Sequence, residues 1–288
     1  MTSTAHAGHL LERARWAARA YADYDHAAVA AIVTAAADAG YAAAERLAEA
    51  TVTETEMGVA AHKVIKNRAC SRGIVEHYRG EDFISPRIDT ARKILEIPRP
   101  AGVVLAITPT TNPVATVYFK VILALMTRNA VVVAPHPRAK QCSADAARVL
   151  AEAAVAAGAP EGIVQVIEDP SIPLVEALMA DERTDVIVAT GGTGVVRAAY
   201  SSGNPALGVG PGNVPVFVDA SADINAAARS IVESKAFDNS VLCTNESVLI
   251  ASRKTSTCAR SGKPFVSCVH ESPALRLRHT AKRPSTLM

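Results

Sequence analysis

The cysteine considered first as a possible nucleophile is Cys243, in the segment 238–247 that reads DNSVLCTNES. A cysteine thiolate is a strong nucleophile, and enzymes use it to form covalent intermediates with carbonyl compounds. Cys243 lies between an apolar pair and a polar run, just after an alanine-rich helical pattern that ends at Phe237. Two interpretations are open here: a catalytic thiol, which needs a partly exposed and electropositive setting, or a small buried hydrophobe. We expect Glu246, three residues further on, to be structural or solvated rather than a catalytic base.

The second candidate is Asn112, which ends the turn TPTTN and directly precedes Pro113. A residue before proline avoids the helical region, so we expect Asn112 to be extended or in a turn, with its amide outside any helix. Such an amide is available to donate a hydrogen bond to another group. A turn-forming asparagine has the same local signature, and the spacing alone leaves both interpretations open.

Two segments of the chain are glycine-rich: 190–194, TGGTG, and 208–215, GVGPGNVP. The first opens a predicted helix, and the free N–H groups of a helix N-terminus can bind a pyrophosphate. It does not match the GxGxxG fingerprint of dinucleotide-binding turns. On spacing alone, a plain strand-to-helix turn is an equal alternative.

Alternating strands and helices are predicted to position these residues. Short apolar, β-branched runs predict strands at 102–108, 130–134, 163–167, 186–189, 216–218 and 247–250. Helices are predicted at 113–127, 144–157, 172–180, 194–200 and 224–236, after N-terminal helices over 9–50, interrupted at Gly40, and 54–64. The alternation predicts an α/β fold with a parallel sheet covered on both faces. Ligands bind at the carboxyl ends of such strands, where the turns after the first, second and fourth predicted strands lie.

Several long motifs, in the right order, resemble the CoA-acylating aldehyde dehydrogenases, an acetaldehyde and sulfoacetaldehyde dehydrogenase-like branch of the aldehyde dehydrogenase superfamily. They run from about Leu95 to Ile250 and include TPTTNP, APHPRAK, AAVAAGAPEGIV, ATGGTGVVRAAYSSGNPALGVGPGNVPVFVD and KAFDNSVLCTNES. The resemblance implies a Rossmann-type parallel sheet with N-terminal helices and only the start of the catalytic domain. It implies that Cys243 is the nucleophile and that Asn112, with the Cys243 backbone N–H, stabilises the oxyanion. The implied cofactor-binding residues are Thr108, Thr110, His136, Pro137, Gly191, Gly192 and Gly210.

The reaction that the resemblance implies oxidises an aldehyde to an acyl-CoA thioester, through a thiohemiacetal and a thioester on Cys243. Hydrolytic members of the superfamily carry a glutamate near the glycine-rich run, as the base for a deacylating water. The segment 206–213 contains no carboxylate, so transfer of the acyl group to coenzyme A is favoured. NAD is the expected cofactor. NADP is not excluded, because no acidic residue follows the second strand and Arg138 and Lys140 would tolerate a 2′-phosphate.

Composition and charge argue against several other classes of protein, including those that bind nucleic acid or cross a membrane. The 288 residues carry a net charge of +2, which gives no electrostatic footprint for nucleic acid. Five cysteines without CxxC or metal-binding spacing indicate no metal site and a reducing compartment. No signal peptide is recognised, and the longest apolar window, 113–126, contains Lys120 and is shorter than the roughly 20 residues that span a bilayer. We therefore expect a cytoplasmic protein that binds neither nucleic acid nor membrane.

Four regions are predicted: an N-terminal helical region 1–97, a dinucleotide-binding α/β domain 98–212, the start of a catalytic domain 213–250 and an aberrant tail 251–288. The tail carries a charge of +7 and the residues before it −5, and its composition predicts disorder. Members of the family are homo-oligomers, and the resemblance implies that the dimerisation elements are missing here. The alternative to an active enzyme is an inactive dinucleotide-binding remnant or a partner of a full-length homologue.

The abrupt change at about Ala251 predicts that the tail comes from a shifted reading frame rather than from a native continuation of the fold. Translation of the downstream DNA in the other two frames tests this expectation. A Gly/Ala-rich α/β sequence that continues the catalytic domain is the expected result, and its absence from both frames would contradict the frameshift.

Overall fold

The computed structural model describes residues 3–251, and the chain divides into two compact units, Met1–Pro211 and a second that begins at Gly212. The helices of the first unit are α1 Ser3–Tyr21, α2 His26–Ala42, α3 Ala44–Thr55, α4 Ala60–Arg68, α5 Ile74–His77, α6 Pro113–Met126, α7 Lys140–Ala156, α8 Ile172–Ala180 and α9 Thr193–Tyr200. Its strands are β1 Arg87–Asp89, β2 Ile94–Glu96, β3 Val103–Ile107, β4 Ala130–Ala134, β5 Val164–Val166, β6 Val186–Thr190 and β7 Ala206–Val209. The second unit contains β8 Val214–Val218, α10 Ile224–Ala236 and β9 Glu246–Ala251.

A five-stranded parallel sheet, in the order β5-β4-β3-β6-β7, organises the first unit. The chain builds outward from β3 through β4 to β5, then returns to the other side of β3 for β6 and β7. This is the strand order of a Rossmann-type sheet, and the direction of winding reverses between β3 and β6. The predicted α/β fold class, with N-terminal helices on a Rossmann-type parallel sheet, is confirmed.

Strand β3 lies at the centre of the sheet, next to β4. Every residue of β3 and β4 is buried, as expected for parallel strands that carry helices on both faces. Helices α1 to α3 contribute their apolar residues to the same core as these strands. Whether residues 1–97 form a region of their own, as predicted, stays a prediction.

The N-terminal helices differ in detail from the predicted pattern. Gly40 does not end α2 or mark a break: it is buried inside the helix, where a β-carbon would lie 3.2 Å from the side chains of Leu150 and Tyr118. The glycine therefore permits close packing of α2 against α6 and α7. Within residues 3–251, no single helix has both the length and the apolar composition needed to cross a membrane, although α2 and α3, bent by 59° at their junction, meet that criterion as a pair.

The predicted helix over 54–64 is wrong, because the chain breaks between α3 and α4. Glu56 ends α3 in the left-handed conformation with φ 57°, and Gly58 also has a positive φ of 82°. The segment up to residue 86, predicted as a polar stretch, is helical as far as His77. The β1–β2 hairpin and strand β7 were not predicted, since both are short and largely exposed.

In the second unit, β8 and β9 pair in parallel and α10 connects them. Asp223 caps α10 through hydrogen bonds from the backbone N–H groups of Asn225 and Ala226. The strands predicted at 216–218 and 247–250 are both present and slightly longer. The predicted tail lies outside the described residues, apart from Ala251 at the end of β9.

A buried lysine joins the two strands at which the sheet reverses. Lys120 of α6 is 5% exposed, and its Nζ donates hydrogen bonds to the carbonyl oxygens of Ile107 at 2.6 Å and Val188 at 2.7 Å. Burial lowers the pKa of Lys120 to about 7. Since the two carbonyls belong to β3 and β6, the ammonium group links the carboxyl halves of both strands.

We predict that Lys120 makes the stability of the first unit depend on pH. In the unfolded chain the lysine keeps a pKa of about 10.4, so between that value and the folded pKa only the unfolded state binds the proton. Stability should therefore rise with pH in this window, by at most about 1.4 kcal/mol per pH unit. Urea unfolding of the wild type and of Lys120→Met, from about pH 7 to about pH 9.5, tests this. If the difference in the free energy of unfolding between the two proteins does not change with pH, the prediction is contradicted.

Candidate active site

The predicted cofactor-binding residues all lie at the carboxyl edge of the parallel sheet. They follow four strands of that sheet: Thr108 and Thr110 after β3, His136 and Pro137 after β4, Gly191 and Gly192 after β6, and Gly210 after β7. Because β3 and β6 are hydrogen-bonded neighbours, the turns that follow them flank the point at which the strand order reverses. That point is where open α/β sheets bind ligands. The sequence thus placed all of these residues except Gly210 at the carboxyl ends of predicted strands, while the individual roles of the whole set stay predictions.

Thr108 supplies an unsatisfied polar atom at this edge. Its backbone N–H donates to the carbonyl oxygen of Ala134 at 3.0 Å, which fixes the start of the turn. Its hydroxyl Oγ1 is buried and has no hydrogen-bond partner among residues 3–251. Buried hydroxyls are normally paired, so this atom fits a ligand that reaches the end of β3.

The start of α9, which follows the neighbouring strand β6, offers backbone donors. The N-cap residue Gly192 provides no side-chain hydrogen bond to the first turn, so this helix N-terminus keeps N–H groups for an anion. A β-carbon on Gly192 would meet no atom within 4 Å, whereas one on Gly191 would lie 2.6 Å from Val195. The first glycine is needed for packing, and the second leaves open space above the helix.

His136 begins a short 3₁₀ helix, Pro137–Ala139, in the turn after β4. Its Nδ1 accepts a hydrogen bond from the backbone N–H of Arg138 at 3.1 Å, so the neutral ring carries its proton on Nε2. Burial and the neighbouring Arg138 charge lower the pKa of His136 below its usual value. At neutral pH the imidazole is therefore a neutral donor through Nε2.

A carboxylate from the neighbouring strand lies next to the basic residues of this turn. Lys140 Nζ contacts Asp169 Oδ1 at 2.7 Å, and that hydrogen bond lowers the pKa of Asp169. Asp169 follows β5, whereas the sequence was searched for an acidic residue directly after β4. That search therefore misses Asp169. The edge therefore carries an acidic group, and Lys140 is neutralised.

Asn112 is held by contacts on both its main chain and its side chain. Its carbonyl oxygen accepts from the backbone N–H of Thr116 at 3.0 Å and from the Thr116 hydroxyl at 2.6 Å. Its side chain does not cap α6; instead, Oδ1 accepts a hydrogen bond from Lys66 Nζ. Lys63 Nζ donates to the Thr111 carbonyl oxygen at 3.1 Å. The expectation that the Asn112 amide stays outside the helix is consistent with this geometry.

The two lysines of α4 were not found from the sequence. Lys63 and Lys66 are 3% and 9% exposed, although lysine on a helix normally faces solvent. No signal in the sequence singles them out, because KVIKN reads as an ordinary amphipathic turn of helix.

Cys243 lies in the second unit, in a loop with unusual backbone conformations. The three residues Asp238, Asn239 and Ser240 all have positive φ, at 50°, 57° and 61°. Non-glycine residues rarely adopt this region, and consecutive examples mark a strained segment that its surroundings must hold. Asn245 does part of this, since its Nδ2 donates to the carbonyl oxygen of Ser234 at the end of α10.

Within the second unit, Gly212 lies directly beside this loop. A β-carbon on Gly212 would lie 2.5 Å from the Cys243 carbonyl oxygen, so only glycine permits this approach. Ser247 Oγ accepts from the Val214 N–H at 2.8 Å and donates to Asn213 Oδ1 at 2.8 Å. The start of β8 and the cysteine loop are therefore held together within the second unit.

Of the three cysteines within residues 3–251, Cys243 is the exposed one. Burial raises the pKa of the Cys70 thiol. Burial and the nearby Glu54 carboxylate raise the pKa of Cys142 to about 12. Since the thiolate is the nucleophile, Cys70 and Cys142 are poorly suited to covalent chemistry, and Cys243 has the access that it requires.

The sequence matches the model of the aldehyde dehydrogenase family over residues 1–259. The similarity therefore includes the N-terminal helices and continues past Ile250, where the recognisable motifs ended. The bifunctional aldehyde-alcohol dehydrogenase of Escherichia coli K12 is 43% identical over 252 residues, which cover 87% of this chain and 28% of that protein.

Two solved structures are similar in fold and sequence. The acetylating aldehyde dehydrogenase of Geobacillus thermoglucosidasius has a TM-score of 0.86 and 37% identity, covering 96% of this chain and 58% of that one. The propionaldehyde dehydrogenase of Rhodopseudomonas palustris, solved with bound CoA and an acylated cysteine, has a TM-score of 0.79 and 33% identity, covering 91% and 58%. The chain thus spans less than two thirds of the length of each of these relatives.

We predict that Glu54 stabilises the helix that follows the His136 turn. Its carboxylate accepts from the backbone N–H groups of Gln141 at 2.9 Å and Cys142 at 2.8 Å, which caps the N-terminus of α7 and complements its dipole. Glu54→Ala should lower the free energy of unfolding by about 1–2 kcal/mol. Urea unfolding measures the loss, with Glu49→Ala, an exposed position on the same helix, as the matched control. Equal stability of the two variants would contradict the capping role.

Proposed function

We propose that this chain, which belongs to the aldehyde dehydrogenase family, oxidises an aldehyde to an acyl-CoA thioester with NAD(P) and coenzyme A. The observation that carries the proposal is Cys243, an exposed thiol on a strained loop whose backbone is in contact with the glycine-rich run. The similarity to acetylating and propionaldehyde dehydrogenases supports the choice of an acylating reaction over a hydrolytic one.

In the proposed reaction, the Cys243 thiolate attacks the aldehyde carbon, and a C–S bond forms as the carbonyl π electrons move to oxygen. The thiohemiacetal loses a hydride from the same carbon and becomes a thioester on Cys243. Coenzyme A attacks this thioester through its thiol, so that the acyl group leaves as acyl-CoA and Cys243 is regenerated. The balance is one aldehyde, one CoA thiol and one oxidised cofactor consumed, for one acyl-CoA, one reduced cofactor and one proton.

Asn112 has the proposed role of oxyanion donor, together with the backbone N–H of Cys243. The first step places negative charge on the former carbonyl oxygen, and preorganised N–H donors stabilise this charge in the transition state. An asparagine whose oxygen already accepts a hydrogen bond, and whose side chain does not cap a helix, suits this role because its N–H groups remain for the substrate.

Transfer to coenzyme A is proposed rather than hydrolysis. The run 206–213 contains no carboxylate that could activate water. In the second unit, the part of this run next to Cys243 is Gly212, which contributes no side chain. The Cys243 thioester therefore lacks a general base from this segment, and an external thiol is the better acceptor.

The residues at the sheet edge fit a dinucleotide. Thr108 offers its unpaired hydroxyl, His136 a donor on Nε2, and Gly191 and Gly192 the approach to the start of α9; Thr110, Pro137 and Gly210 complete the proposed set. When bound, the nicotinamide supplies the acceptor for the hydride. We favour NAD over NADP, because Asp169 neutralises Lys140 and its carboxylate disfavours a 2′-phosphate. An aldehyde and CoA are the proposed small-molecule partners.

A steady-state assay of the 288-residue chain tests the proposal. With a short aldehyde, CoA and NAD, we expect formation of both NADH and acyl-CoA, and weaker activity with NADP. Cys243→Ala should abolish acyl-CoA formation and leave dinucleotide affinity unchanged, because the proposed cofactor residues belong to the first unit. Cys70→Ala, which removes a half-buried thiol, is the control and should keep activity. Equal activity of Cys243→Ala and wild type, or no acyl-CoA from the wild type, would refute the assignment.

A further inference from the structure

The contact between Lys66 and Asn112 carries information about which atom of the asparagine faces the substrate. A lysine ammonium group has three donors and no acceptor. The Asn112 atom that contacts Lys66 Nζ must therefore be Oδ1, and this contact determines the orientation of the amide. Because the two amide substituents point apart, Nδ2 faces away from Lys66.

The charge on Lys66 also changes the properties of this amide. A hydrogen bond from an ionised donor is shorter and stronger than a neutral one, and at 9% exposure little solvent screens it. Withdrawal of electron density toward Oδ1 makes the Nδ2–H groups more acidic and better donors. The ammonium thus both orients and polarises the group that would stabilise an oxyanion.

Lys63 shows that this effect is specific to one of two similar residues. It lies three positions before Lys66 on α4 and is buried to a similar degree. Its ammonium donates to the main-chain oxygen of Thr111, which holds the turn but does not touch the Asn112 amide. The two lysines therefore share burial and helix, and differ in whether the side-chain amide is their acceptor.

We propose that Lys66 is a positioning residue for the reaction, which holds and polarises the Asn112 amide so that Nδ2 is presented to the developing oxyanion. This inference rests on the proposed function for its catalytic consequence. The orientation and polarisation of the amide are properties of the first unit and can be tested without turnover.

A double-mutant cycle between Lys66 and Asn112 tests the catalytic consequence. We expect Asn112→Ala to lower kcat about a hundredfold and Lys66→Met to lower it about tenfold or more, with little change in KM or in dinucleotide affinity. Since Lys66 acts through Asn112, the double variant should be within about twofold of Asn112→Ala alone. Lys66→Arg, which keeps the charge and the donor, should recover most of the activity. Multiplication of the two single effects in the double variant would overturn the proposal.

Lys63→Met is the matched control, because it removes an equally buried lysine of the same helix without touching the amide. We expect it to lower the melting temperature as much as Lys66→Met does and to lower kcat less. Equal kcat losses in the two variants would show a general structural role for both lysines and would overturn the proposal. Should Lys66→Met not fold, Lys66→Gln removes the charge while keeping a donor and takes its place in the cycle.

The side-chain amide signals of Asn112 give a readout that needs no turnover. In ¹H–¹⁵N spectra these signals are identified by their loss in Asn112→Ala. We expect Lys66→Met to shift them more than Lys63→Met does, and Lys66→Arg to restore them. If the wild type forms no acyl-CoA, the proposed function fails. The shift of these signals then still tests whether Lys66 orients and polarises the Asn112 amide. Signals that Lys66→Met leaves in place would overturn the role of Lys66.

Discussion

Buried ammonium groups determine the geometry of the chain around the end of β3, because a lysine removed from water must donate to oxygen atoms. Three such groups lie here: Lys120 donates to Ile107 and Val188, Lys63 to Thr111, and Lys66 to Asn112. In each of these bonds the acceptor is a carbonyl or amide oxygen rather than a carboxylate. Each bond therefore fixes the position of an oxygen atom near the point where the sheet reverses direction.

This arrangement suits a reaction in which negative charge develops on oxygen. An oxyanion site must be preorganised, since donors that have to reorient during the reaction lose most of their advantage. Here Thr116 fixes the main chain of Asn112 and Lys66 fixes its side chain. In the second unit, three residues in the left-handed region precede Cys243. In both units the residue with a proposed catalytic role is held by neighbours that do not themselves resemble catalytic groups.

The sequence predicted most of the sheet but not the residues that support the site. Strands such as β3 and β4 are recognisable because fully buried parallel strands consist of consecutive apolar residues. The edge on which the turns lie follows from the alternation of strands and helices, which is why Thr108, His136 and Gly191 were placed together. Lys63 and Lys66 were missed because a buried lysine and a solvated one look the same in sequence, and only the packing of α4 distinguishes them. Asp169 was missed because it comes from the adjacent strand, and Gly40 was misread because close helix packing uses the same residue as a helix end.

The central claim of this account is that Cys243 carries the acyl group, and the most direct test is to observe that group on the protein. Coenzyme A transfer is reversible in principle, so an acyl-CoA alone should acylate the thiol by thioester exchange, without an aldehyde or a dinucleotide. After incubation of the 288-residue chain with acetyl-CoA and proteolysis at low pH, mass spectrometry locates the acetyl thioester. We expect it on the peptide that contains Cys243, reversed by added CoA, and not on the peptides of the other four cysteines. An unmodified Cys243 peptide, or equal labelling of all five cysteines, would contradict the account.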